Sequence, residues 1–182
     1  MIILDVGKRI MKTFNDIEDA YRRSRKAAWK FQNDVHAVGR HILASMREVG
    51  NIPNEHFFAY PPSKEEVNEE SVFAPAGATE FNEDKDCFEF GTVMHLEFEA
   101  NAFPKMFLRM TFEIRHQKEK IEIRFSNTNK SVFIEPKESE KTKEVFRQFA
   151  GDCLEAIYDY YDSMPDQWAS TQGSKTMGFN PN

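Results

Sequence analysis

The sequence predicts a two-layer α+β fold. A four- to five-stranded antiparallel meander is expected to be covered on one face by a long N-terminal helix and a C-terminal helix. Three observations predict this fold: apolar and polar residues alternate over residues 87–135, apolar residues follow a heptad spacing over residues 8–49, and residues 139–163 carry a wide apolar face. We expect one domain over residues 1–163 and a flexible tail over residues 164–182.

The predicted meander over residues 87–135 organises the rest of the chain. Its apolar positions recur with a period of two, as in strands that bury one face. They are Phe88, Phe90, Thr92, Met94, Leu96, Phe98 and Ala100, then Met106, Leu108, Met110, Phe112 and Ile114, then Ile121, Ile123 and Phe125, then Val132 and Ile134. The intervening positions include many charged residues, so we expect the second face to be solvated.

Turn lengths predict how the strands pair. A four-residue turn at residues 127–130 places Phe125 opposite Val132. On the solvated face, the same reasoning places Glu97 near Arg109 and Arg124 near Thr111 as cross-strand pairs.

Residues 8–49 are predicted to form one long helix, because apolar residues recur there at intervals of four and three. They are Ile10, Phe14, Ile17, Tyr21, Ser24, Ala28, Phe31, Val35, Val38, Ile42, Ser45 and Val49. From Ala28 onward a second stripe that includes Trp29, His36 and Leu43 widens the apolar face, so we expect core packing there. The narrower first part suggests two interpretations. Ile10, Phe14, Ile17 and Tyr21 mediate self-association, or a bend near Asn33 or Gly39 returns the helix to its own domain.

The connection over residues 50–86 is acidic, rich in proline and irregular. A capping-box sequence at Ser63 predicts a short helix from about Lys64 to Glu70. Residues 56–60 or 71–74 are candidates for a fifth strand. After the meander, Ser139 is the predicted N-cap of the C-terminal helix.

The charge of the chain is uneven. The net charge is −6, but residues 1–50 carry ten Lys/Arg against six Asp/Glu, so the acidic excess lies in residues 51–182. No apolar run approaches the roughly 20 residues that span a bilayer, and the two cysteines form no disulfide framework. We therefore expect a cytoplasmic protein with no membrane association.

The sequence carries no reaction signature. Its five histidines show no metal-ligand spacing, its glycines form no phosphate-binding loop, and Cys87 and Cys153 lie in no nucleophile motif. We predict no metal and no cofactor.

A basic stretch in the first helix is the best candidate binding surface. It consists of Arg22, Arg23, Arg25, Lys26 and Lys30. These cations suit pairing within the chain, an acidic surface of a protein partner, or nucleic-acid phosphates.

The leading hypothesis is a non-enzymatic, cytoplasmic protein-interaction module, such as an inhibitor, adaptor or chaperone, that dimerises through its N-terminal helix. Its protein partner is not identified by the sequence. The first alternative is a nucleic-acid-associated protein that uses the basic stretch. The second is an enzyme whose site is built from dispersed carboxylates and histidines.

Overall fold

The computed structural model describes residues 13–64, 66–67, 73–96, 106–128, 130–137 and 139–163. The chain divides into two compact units, residues 1–33 and residues 34–182. The elements are helix α1 (Phe14–Gly50), strands β1 (Phe57–Ala59), β2 (Thr79–Asn82), β3 (Cys87–Leu96), β4 (Met106–Gln117), β5 (Lys120–Phe125) and β6 (Ser131–Ile134), and helix α2 (Glu140–Asp162). Short 3-10 turns lie at Asn54–His56 and Pro75–Ala78.

Helix α1 begins at Phe14, where Thr13 caps it. The Asp16 amide donates to the Thr13 hydroxyl at 3.3 Å, and the Thr13 amide donates to the Asp16 carboxylate at 2.8 Å. These reciprocal bonds satisfy amides that a helix start leaves without partners. Thr13 was predicted to be helical but lies just outside α1, as its N-cap. Residues 8–12, the rest of the predicted first turns, lie outside the described residues.

The α+β fold class is confirmed. In the described part of the chain the sheet has six strands, and every pairing of neighbouring strands is antiparallel. Strands β3 to β6 form the predicted meander. Strand β1 confirms a fifth strand within residues 56–60. Strand β2 was not predicted; it follows β1 along the same edge of β3, pairing with residues 87–90 while β1 pairs with residues 92–94.

The main core lies between one sheet face and the two helices within residues 34–182. The Phe112 ring contacts the Phe149 ring of α2 edge-on at 6.2 Å between centroids. A Cβ added at Gly39 of α1 would lie 3.1 Å from the Phe90 ring, so this glycine allows helix and sheet to approach closely. The sequence predicted core packing of α1 from Ala28 onward. The buried residues of α1 begin only at Val35, and Trp29 is 65% exposed.

The second sheet face is not uniformly solvated, which corrects the sequence-based expectation. Phe58, Tyr60 and Val93 form a buried cluster there, with Val67, Phe73 and Phe107 packed against it. The chain crosses β3 at Gly91, where the Tyr60 amide donates to the Gly91 carbonyl at 3.0 Å. We call residues 60–64 the crossover segment. The Arg109 guanidinium also holds this segment on the sheet, because it donates to the Pro62 carbonyl at 3.0 Å.

The predicted strand pairs are wrong by small register errors. Arg124 lies opposite Glu113 rather than Thr111, Arg109 lies opposite Val93, and Val132 lies opposite Ile123 rather than Phe125. Glu97 lies outside the described residues. Each of these register errors is a shift by an even number of residues, so the side chains of these pairs stay on the predicted sheet face.

The predicted helix after Ser63 is absent at the described residues Lys64, Glu66 and Val67. The Ser63 amide and hydroxyl both donate to the Glu80 carboxylate of β2, at 3.0 and 2.5 Å, instead of forming a capping box. The predicted N-cap of helix α2 is confirmed, because the Thr142 amide donates to the Ser139 hydroxyl at 3.1 Å.

Candidate functional site

The candidate surface is the apolar face of α1 within residues 13–33, which we call the seam. Its members share the heptad positions a and d of this part of the helix: Phe14, Ile17, Tyr21, Ser24, Ala28 and Phe31. Phe14 is 72% exposed, Ile17 is 59% exposed and Tyr21 is 64% exposed. Ile10, the remaining predicted self-association residue, lies outside the described residues.

Such exposure is unusual for an amphipathic helix. An amphipathic helix in a folded protein is stabilised mainly by burying its apolar face. Scattered exposed apolar residues need no explanation, but three large ones in successive turns of one face form a continuous patch. The seam is therefore a surface that a partner can cover.

The basic stretch lies on the same part of α1, and all five of its cations are exposed. The Arg22 guanidinium lies 3.6 Å from the Glu18 carboxylate, one turn earlier on the helix. Within the described residues, Arg23, Arg25, Lys26 and Lys30 form no ion pair. The structure thus brings the predicted cations and the seam onto one helix. One of the cations, Arg23, lines a cavity of about 380 Å³ together with Asp16, Ile17, Asp19 and Ala20.

A charged cluster on the second sheet face is structural in character. The Lys85 ammonium lies 2.8 Å from the Glu89 carboxylate and 3.1 Å from that of Glu113, and the Arg115 guanidinium lies 3.0 Å from Glu113. Burial pushes the pKa of Glu113 upward, but the hydrogen bond and charge of Lys85, with the charges of Arg115 and Arg124, lower the pKa overall. The carboxylate stays ionised, so this cluster offers no general acid at neutral pH.

Both cysteines are free and buried. Burial, with the charges of Glu113 and Glu89, raises the pKa of Cys87 despite the nearby Arg115. Burial and the charge of Asp152 raise the pKa of Cys153 to about 12. Since the thiolate is the reactive form, neither thiol is primed as a nucleophile.

Two histidines that sequence reasoning treated as unrelated lie side by side. The ring centroids of His56 and His95 are 4.9 Å apart, and His95 also stacks on Phe107 at 5.3 Å. Their proximity follows from the pairing of β1 with β3, which no local pattern reveals. Among the described residues, no group of three or more His, Cys, Asp or Glu side chains is arranged to hold a metal ion.

A cleft of about 330 Å³ lies between α1, the end of β6 and the start of α2, within residues 34–182. Its lining combines apolar and charged side chains, among them Asp34, Arg40, His41, Glu135 and Lys137. The His41 ring stacks on Phe146 at 5.0 Å between centroids. The cleft gathers one histidine and two carboxylates, so it is the place to test the enzyme hypothesis, which stays a prediction.

Comparisons with known proteins identify no relative: no family model, curated protein or solved structure matches the chain. Among the described residues, no helix combines the length and the apolar character needed to cross a bilayer.

Proposed function

We propose that the protein is a non-enzymatic, cytoplasmic protein-interaction module of the inhibitor, adaptor or chaperone-like type, which self-associates through the seam of α1. The observation that carries this proposal is the exposure of Phe14, Ile17 and Tyr21 on one helix face. The cytoplasmic location is supported by the two free thiols, the form that a reducing compartment maintains.

The energetics support a partner for the seam. Burying a large apolar side chain contributes roughly 1.5–3 kcal/mol. A second seam would bury all three of these side chains on each copy. The charged cluster and the buried thiols support a non-enzymatic role, because their pKa shifts make them poorer proton donors or nucleophiles at neutral pH.

The test is light scattering coupled to size exclusion, comparing the wild type with Phe14→Asp. We expect the wild type to approach twice its 21.2 kDa chain mass at high concentration. The variant should remain a monomer, because a buried unpaired carboxylate opposes association.

Tyr158→Asp is the matched control, because Tyr158 is an equally exposed aromatic residue, at 67%, on α2. This control should associate like the wild type. A wild type that stays monomeric, or an assembly that Phe14→Asp leaves intact, would overturn the proposal.

A second candidate function is nucleic-acid binding, which the four exposed cations without an ion pair in the described part of the chain favour. Fluorescence anisotropy with labelled DNA and RNA at low salt tests it. Replacing Arg23, Lys26 and Lys30 with glutamine should abolish binding if phosphates are the ligand. The matched triple variant, in which the exposed Lys118, Lys120 and Lys141 are replaced with glutamine, should still bind nucleic acid. If the wild type binds neither DNA nor RNA, this candidate is excluded.

A further inference from the structure

We propose that the occupant of the seam is a second copy of this chain, docked antiparallel, with Tyr21 of each copy against Ser24 of the other. This inference rests on the proposed self-association and adds its orientation and register. It is argued from three features of residues 14–31: the sizes of the seam side chains, the charges that flank them, and the small residues on the remaining flank.

The seam has a large half and a small half. In an antiparallel pair, a residue at heptad position a of one helix packs against a residue at heptad position d of the other. The proposed register pairs Tyr21 with Ser24 and Ile17 with Ala28. Phe14 then meets Phe31 at each end. In a parallel pair every residue meets its own copy, so Tyr21 faces Tyr21 and Ser24 faces Ser24. That arrangement overfills one layer and leaves a void in the next, and both faults destabilise packing.

The flanking charges select the same orientation. Glu18 and Arg25 occupy successive e positions, and in an antiparallel pair e faces e across the interface. The register set by Tyr21 and Ser24 brings Glu18 of one copy beside Arg25 of the other, twice by symmetry. In a parallel pair e faces g, so Glu18 meets Thr13 and Arg25 meets Ala20, and no ion pair forms.

The contact of Glu18 with Arg22 within its own helix does not compete strongly with this pairing. That contact is 3.6 Å long, and the two side chains retain 45% and 71% of their exposure. Exposed pairs of this kind contribute little to stability, so the Glu18 carboxylate can accept a second cation.

The other flank carries the small residues. Ala20 and Ala27 occupy successive g positions, and the antiparallel register places Ala20 of one copy against Ala27 of the other. Small side chains let two helices approach closely, since the distance between helix axes depends on the side chains at the contact. One flank therefore permits close packing and the opposite flank supplies the ion pairs.

The interface has a defined extent. Six layers cover residues 14–31, about 27 Å of helix at about 1.5 Å per residue. The next seam residue, Val35, is fully buried within its own unit and takes no part. A contact of this length is small for a protein interface, so we expect a dimer that dissociates on dilution.

Cysteine cross-linking tests the register on the full-length chain. The substitutions Ala20→Cys, Ala27→Cys and Ala28→Cys each replace a small exposed residue. A size-tagged Ala20→Cys chain is mixed with an untagged Ala27→Cys chain and treated with a short bis-maleimide, and Ala28→Cys is treated alone. The antiparallel register separates the two Ala28 residues by about 16 Å along the helix axis, whereas a parallel pair places them face to face. Wild type is the control, since its Cys87 and Cys153 are buried. Light scattering of every sample reports association independently.

The proposal predicts a tagged–untagged Ala20→Cys/Ala27→Cys product and little Ala28→Cys homodimer. A dimer that yields the Ala28→Cys product, both products equally, or neither product overturns the antiparallel register while self-association stands. Monomers by light scattering, with no cross-linked product, overturn the self-association itself.

Discussion

At the scale of single residues, Gly91 decides whether the crossover segment can lie on β3. A Cβ at this position would lie 2.1 Å from the Tyr60 carbonyl oxygen and 3.0 Å from Pro62. Both contacts are with backbone or ring atoms that cannot move aside. The small cluster on the second sheet face therefore depends on the absence of a side chain at Gly91.

Gly91→Ala is expected to lower the free energy of unfolding by about 1–3 kcal/mol, the typical effect of overpacking. Urea titration followed by circular dichroism measures it. Gly151→Ala is the matched control: its added Cβ meets Val49 at an ordinary 4.0 Å within helix α2. That control should raise stability by about 0.5–1 kcal/mol, because alanine is the better helix former. Equal effects of the two substitutions would contradict this account of Gly91.

Glu113 is the buried charge whose ionisation supports the fold. Its folded-state pKa is lowered from the ordinary value of 4.5, so its contribution is present above about pH 4.5 and is lost as the pH falls through the folded-state pKa. Glu113→Gln should therefore destabilise the protein at pH 7 by about 1–3 kcal/mol. The difference from wild type should narrow as the pH falls below 4.5 and through the lowered folded-state pKa of Glu113.

Thermal unfolding at a series of pH values measures this effect. Glu140→Gln is the control, because Glu140 is an exposed carboxylate whose pKa is also lowered, in its case by Lys143. Exposed pairs contribute little, so its change should be the smaller one at every pH. A Glu113→Gln difference that is constant with pH would contradict the assignment.

At the scale of elements, the N-cap of α2 is a local signal that the sequence reveals completely. The Ser139 hydroxyl accepts from the Thr142 amide and lies 2.8 Å from the Thr142 hydroxyl. Ser139→Ala should cost about 1 kcal/mol in unfolding free energy, whereas Ser139→Asp should retain the cap. Chemical denaturation of both variants distinguishes them, and equal losses would show that the hydroxyl is not acting as a cap.

The sheet shows where such local reasoning stops. Period-two alternation identified β3 to β6 and their buried face, because side-chain direction is set residue by residue. Register depends on turn geometry: the turn between β4 and β5 has two residues, with Lys118 at a φ of 57°, and nothing in the alternation fixes that number. The register errors therefore preserved the faces and misplaced the pairs.

The second cluster was missed although a signal existed. Val93 and Phe107 are apolar residues at positions where the alternation predicts a solvated face. Their partners Phe58 and Tyr60 lie more than 30 residues earlier in the chain, and only the non-local pairing of β1 with β3 brings them together. Likewise, heptad spacing revealed the seam of α1 but could not show that burial begins at Val35.

At the scale of the whole molecule, the pairing of charges across the proposed dimer makes a specific prediction. Glu18→Arg and Arg25→Glu should each weaken self-association several-fold, because each places like charges together twice per dimer. The double variant should recover most of the loss, since it restores opposite charges in exchanged positions. Sedimentation velocity measures the dissociation constants of the two single variants and of the double variant. A double variant whose loss of dimerisation free energy equals the sum of the two single losses would contradict the pairing.

The central claim is that the exposed seam is covered by a second copy of the chain. Sedimentation equilibrium of the unmodified protein over about a 100-fold range of concentration tests it most directly. The account predicts a weight-average mass that rises from near 21.2 kDa toward twice that value and fits a monomer–dimer equilibrium. A mass that stays at 21.2 kDa at every concentration would contradict it.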